Sequence, residues 1–131
     1  MSSPGLFMIL CSGEHEKIQM AAMAAAVAAV SERPVEVFVS MNAVAVFRRD
    51  NSDGRYQGGE FSDMMITRKA PDALELFGQG KMLGDMKIYA CSMALDVAEI
   101  GMDDLVEDLF DGPSGLTKFL ADAESGQLVI F

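Results

Sequence analysis

Hydrophobic and polar positions fall in blocks along this chain. Gly5 to Cys11 reads Gly-Leu-Phe-Met-Ile-Leu-Cys. Such a continuous apolar run is the pattern of a strand buried on both faces. Ser12 and Gly13 break it, and Glu14-His-Glu opens a long helix whose first turn suits the helix dipole. Within that helix Met20, Met23, Val27 and Val30 recur at helical spacing, and Ala21 to Ala29 let it lie close against a sheet. Pro34 cannot continue a helix and ends it. Val35 to Val39 is a second buried strand, short and β-branched. Ser40-Met-Asn follows, and Ser or Asn there is placed to cap a short helix expected over Ala43 to Phe47.

Arg48 to Phe61 is polar and holds Gly54, Gly58 and Gly59. It reads as a loop of about fourteen residues, a length that often serves as a lid or binding segment. Pro71-Asp-Ala-Leu-Glu-Leu-Phe starts a helix that Gly78, Gly80 and Gly84 weaken and end. Lys87 to Cys91 is a third strand, followed by a helix over Ser92 to Ile100 with Gly101 as its C-cap. Leu105, Val106 and Leu109 fit a strand or a helical turn, so residues 104–110 are the candidate for a further strand. Gly112-Pro-Ser-Gly is a break, Leu116 to Ala123 a helix, and Gln127 to Phe131 a last strand. Near-continuously apolar strands alternating with helices argue for an α/β domain with a parallel sheet covered on both faces.

The 131 residues match one domain, and half are hydrophobic, enough for a core without disulfides or metal. Ten basic residues against twenty acidic ones give a net charge of −10. That surface repels phosphate backbones and anionic membranes, so nucleic acid and membrane are poor partners. Two cysteines and one histidine supply too few soft ligands for a structural zinc, and no metal or other cofactor is expected. The start, Met-Ser-Ser-Pro-Gly, lacks the basic region of a secretory signal, and no apolar stretch is long enough to span a bilayer. The expectation is a cytoplasmic domain with reduced thiols.

In open α/β sheets ligands bind outside the carboxyl ends of the strands. Three polar breaks fall there: Cys11-Ser12-Gly13, Ser40-Met41-Asn42 and Cys91-Ser92-Met93. Both cysteines thus belong to the functional edge. Cys91 precedes a helix, where unpaired N–H groups and the positive dipole end favour a thiolate, the species that attacks sulfur and carbon electrophiles. Its bland alternative is packing, since cysteine is among the most buried residue types. Glu14 and Glu16 oppose a thiolate at Cys11, for which packing is the better reading. Cys11 and Lys17 frame a near miss to a phosphatase loop, but lysine lacks arginine's planar fork. His15, between two glutamates, is expected in solvent, and the eleven methionines are expected mainly as core filler. The acidic run from Asp103 to Asp111 reads as a solvated face. Arg48, Arg49, Arg55 and Arg68 stand either as an anion or partner site or as a solvated loop.

About a third of the chain, from the third strand onward, resembles the DsrE/DsrF family. The residues that carry the resemblance are Lys87-Ile-Tyr-Ala-Cys-Ser-Met-Ala-Leu-Asp96, Gly101-Met, Leu105 to Phe110, Gly112-Pro-Ser-Gly-Leu-Thr-Lys-Phe-Leu120 and Leu128-Val-Ile-Phe131. Cys91, Met93 and Asp96 match the family's pattern residue by residue. Cys11, where the family more often has a small residue, and Pro113-Ser, within the Gly-rich turn, depart from it. The resemblance implies a three-layer α/β/α sandwich on a mainly parallel sheet of about five strands. It also implies a homo-oligomer, a trimer or a multiple of one, and a cysteine that carries sulfur.

The leading expectation is therefore a sulfur carrier or sulfurtransferase-like protein. Cys91 takes sulfane sulfur as a persulfide and passes it to a thiol of an acceptor protein. Ser92 and Met93 supply first-turn amides, Ser12, Gly13 and Asn42 are neighbours from adjacent strand ends, and the Arg48–Phe61 loop covers the site. One alternative is a non-catalytic oligomeric binding or assembly module with Cys91 structural. Another is a Cys11/Cys91 dithiol redox protein, which needs α-carbons within about 7 Å.

Overall fold

In the computed structural model, which describes residues 4–51 and 54–131, the apolar runs pair into one sheet. β1 (Leu6–Leu10), β2 (Val35–Val39), β3 (Met86–Cys91), β4 (Gly112–Ser114) and β5 (Gln127–Ile130) lie in the order β4-β3-β2-β1-β5. Every neighbouring pair is parallel. Leu10 pairs with Val39 and Val39 with Ala90, so the three central strands end level with one another. The fifth strand is Gly112–Ser114, inside the segment read as a break, and no strand forms over 104–110. There a 3-10 turn (Met102–Asp104) and loop carry the chain instead.

Helix α1 (His15–Val30) packs on one face of the sheet beside α4 (Ala73–Leu83). It turns its alanines inward: Ala21, Ala22, Ala25, Ala28 and Ala29 are buried. Small side chains permit a close approach, and a Cβ at Gly84 would collide with the Ala29 carbonyl. The expectation of methionine as core filler fails here. With the alanines against the sheet, Met20, Met23, Val27 and Val30 face outward, Val27 being 67 % exposed. Met82 and Met93 are exposed as well. α4 runs through Gly78 and Gly80 and stops only at Gly84.

The opposite face is covered by α6 (Leu116–Ala123). Its Phe119 ring lies 5.2 Å from Phe38 and 6.0 Å from Phe7, centroid to centroid. α2 (Ala43–Val46) follows β2, and α3 (Glu60–Thr67) forms where the sequence reading has the end of a loop. α5 (Ser92–Ala98) is shorter than expected, ending at Glu99 in a left-handed conformation rather than at Gly101.

Asp111 is exposed, as read for the acidic face, but it is also tied into the fold. Its carboxylate accepts hydrogen bonds from Lys81 Nζ (2.7 Å) and the Ile88 N–H (2.8 Å), fastening α4 and the β4 approach to β3. Burial pushes its pKa up, but these two bonds and the Lys81 and Lys87 charges outweigh that and hold it below the usual carboxylate range. A depressed carboxyl pKa contributes stability above the unfolded-state value near 4, and loses it as pH falls through the lower folded-state value. Asp111→Asn is therefore expected to cost about 0.5–1 kcal/mol at pH 7, the partial exposure of both partners keeping the loss small. Urea unfolding from pH 7 down to pH 2 checks this, the gap to the native protein closing at the acid end.

Candidate functional site

The parallel register brings the three polar breaks to one edge of the sheet. Cys91 ends β3 and is the N-cap of α5, with φ −67° and ψ 119°, and its thiol makes no capping hydrogen bond. Ser92 Oγ donates to the Ser114 carbonyl at 3.3 Å, tying the start of α5 to the end of β4. Cys91 is only 6 % exposed, whereas Met93 beside it is half exposed. Cys11, one residue beyond β1, is exposed, and its thiol donates to the Phe131 carbonyl at 3.3 Å. The exposures are the reverse of those expected: the thiol read as packing is open, and the thiol read as reactive is nearly enclosed. The cause is position in the sheet. Cys91 is still inside β3 and pairs with Ser114 of β4, while Cys11 lies one residue past the end of β1.

The two thiols cannot join as they stand. β2 lies between their strands, and two interstrand spacings put the α-carbons about 10 Å apart. A disulfide needs them within about 7 Å, so the dithiol alternative requires the backbone to move.

Ser12, Gly13 and Asn42 gather at the neighbouring strand ends. Ser12 Oγ accepts from the Glu14 N–H at 3.1 Å at the start of α1. Gly13 and Asn42 touch: a Cβ on Gly13 would sit 3.0 Å from Asn42 Nδ2. Above them the loop after α2 closes down. The Gln57 N–H donates to the Gly13 carbonyl (3.0 Å) and the His15 N–H to the Gln57 carbonyl (2.6 Å). Together Gly13, Asn42, Arg48, Arg55, Tyr56 and Gln57 border a cavity of about 360 Å³. Arg55 is spent on the Val46 and Arg48 carbonyls, and Arg49 bonds Glu107 and the Asp103 carbonyl. The loop thus covers the ends of β1 and β2, and neither cysteine lines this cavity.

His15 is not in solvent as expected. It is 4 % exposed, its ring stacked on Tyr56 at 4.0 Å, with Nδ1 2.6 Å from Ser62 Oγ. Burial lowers its pKa, and Asp72 and Glu16 oppose that only in part. Tyr56 donates to Asp72 at 2.8 Å, and burial, then that bond, raises the phenol pKa. This cluster pins the loop and α3 onto α1. Ser62, hydrogen-bonded to His15, lies 47 residues from it, so no local spacing in the sequence signals the cluster. Among the described residues, no group of three or more His, Cys, Asp or Glu is placed to hold a metal ion, and no helix is long and apolar enough to cross a membrane.

No family model matches the chain, and no curated protein matches it. Among solved structures it is similar to MTH1491 from Methanobacterium thermoautotrophicum, described as a protein of unknown function. The two share 20% identity with a TM-score of 0.66, over 98% of this chain and 100% of that one. The fold is a three-layer α/β/α sandwich. At this identity the likeness speaks to the fold alone.

Proposed function

We propose that the protein is a sulfur carrier that holds sulfane sulfur on Cys91. The Cys91 thiolate attacks the terminal sulfur of a small persulfide R–S–SH, forming Cys91–S–SH and releasing the thiolate R–S⁻. An acceptor thiolate then takes the same sulfur and regenerates Cys91. Sulfur is transferred in both steps with no net oxidation, so no other cofactor is needed.

The observation that carries this reading is the place of Cys91. It is the last residue of a strand paired on both sides and the cap of the helix that follows. Strand pairing fixes its sulfur, and the opening amides of α5 begin beside it, where an anionic terminal sulfur is favoured. The run from Lys87 to Asp96 that resembles the DsrE/DsrF family supports the same residue. Its enclosure limits donors to small ones and protects a persulfide from stray thiols.

That enclosure also favours a second reading, an assembly module in which Cys91 is packing. Incubation with inorganic polysulfide or glutathione persulfide, followed by peptide mass spectrometry, separates the two. A gain of one sulfur atom on the Cys91 peptide is expected. A Cys91 peptide unchanged by either donor, in protein whose Cys11 is alkylated readily, leaves the module standing.

A further inference from the structure

The two edges of the sheet are built differently. β4 is three residues long and carries Pro113, which has no N–H to donate, so its open edge is blunted. β5 reads Gln-Leu-Val-Ile, with no charge, proline or glycine. It pairs only with β1, through the Gln127 N–H to Gly5 and the Phe131 N–H to Ile9. By strand alternation the amides of Leu128 and Ile130 point away from the sheet.

Exposed apolar side chains flank this edge. On one face are Met20, Met23 and Val27 of α1, bordering with Val129 a groove of about 500 Å³, and Val30, exposed at the end of the same stripe. On the other face are Leu128 and Ile130, the latter 63 % exposed. From Ile18 to Val30 the chain carries no charged residue, although the protein as a whole carries −10. Glu16 lies one turn before Met20 on the same stripe, and Arg33 stands just past the stripe's other end.

We propose that β5 is the contact between two copies of this chain, paired antiparallel about a twofold axis through Val129. Leu128 of one copy then exchanges backbone hydrogen bonds with Ile130 of the partner subunit, and two five-stranded sheets become one. The same axis runs the two α1 helices antiparallel. Met20 and Met23 of each approach Val27 and Val30 of the other, and the Glu16 end meets the Arg33 end twice. A foreign strand could use the same edge. A second copy matches the uncharged stripe to itself and brings Glu16 toward Arg33, which borders the groove beside the exposed Glu32 and bonds Gln127 Oε1. The proposal is independent of the chemistry at Cys91.

Light scattering and sedimentation velocity on the full chain at tens of micromolar test it. A dimer or an even multiple is expected. Val27→Lys and Ile130→Lys each change an exposed side chain, so far-UV circular dichroism is expected to stay the same while the dimer dissociation constant rises at least tenfold. Glu16→Arg, which sets like charges at both ends, is expected to weaken the dimer severalfold. A monomeric or trimeric native protein, or lysine variants that assemble as the native chain does, would overturn the β5 contact. An assembly unchanged or tightened by Glu16→Arg overturns the antiparallel placement of α1.

Discussion

Cys91→Ser is expected to abolish sulfur loading, while Cys11→Ser is expected still to gain one sulfur atom from the same donor. Serine nearly matches cysteine in size, but its hydroxyl is no nucleophile toward sulfane sulfur at neutral pH. The backbone at Cys91 is held by pairing to Ser114 of β4, and Ala90 before it pairs with Val39 of β2, so the substitution leaves the strand in place. Burying a hydroxyl there costs about 1–3 kcal/mol unless it finds a partner, which a folded domain of this size survives. Cys11 is exposed, followed by Glu14 and Glu16, and two strand spacings from Cys91. Intact-mass and peptide spectra of both variants, with circular dichroism to confirm folding, read the outcome. Loading that survives in Cys91→Ser, or a Cys11–Cys91 disulfide on mild oxidation, would refute the single-thiol mechanism.

Phe119→Ala has the largest expected effect on stability. Phe119 is fully buried and packs its ring against Phe38 and, edge-on, against Phe7. It is the main anchor of α6, a helix of only eight residues. Truncating a buried phenylalanine costs about 3–5 kcal/mol, lost burial plus the cavity left behind. Against a total of roughly 5–15 kcal/mol, that removes a large share of the stability and lowers the melting temperature by roughly 10–20 °C. Urea unfolding gives the number directly. A loss under about 1 kcal/mol means that the layers collapse onto the gap and that α6 is held by something else.

Long uniform runs made most of this fold legible. β1, β2 and β5 are rich in Leu, Ile, Val, Met and Phe, β3 is apolar apart from Lys87, and such runs have few homes outside a buried parallel sheet. β4 was hidden because a glycine, a proline and a serine form a strand only when β3 already offers an edge. Helix α1 was legible in extent, but its orientation was decided by size. Alanine and methionine are both apolar, and the close layer spacing admits the smaller residue. The functional edge was legible because strand ends can be read from where the runs stop. The exposure of the two thiols was not, since it depends on whether each lies inside its paired strand, as Cys91 does, or past its end, as Cys11 does. The clasp of His15, Tyr56, Ser62 and Asp72 and the tie from Asp111 to Lys81 join distant parts of the chain, where the sequence carries no periodic trace of them.

The pairing of β5 with β1 also bears on how the chain reaches this state. Cys11 meets Phe131 across 120 residues, and β1 is central in the sheet although made first. During synthesis one side of β1 can be closed by β2 early, but its other side waits until the last strand has emerged. An apolar strand with a free side is a template for wrong partners, and closing so long a loop is slow. Stalled or prematurely ended chains lacking residues 127–131 thus keep that side of β1 open, and aggregation during expression is the expected fate of such fragments.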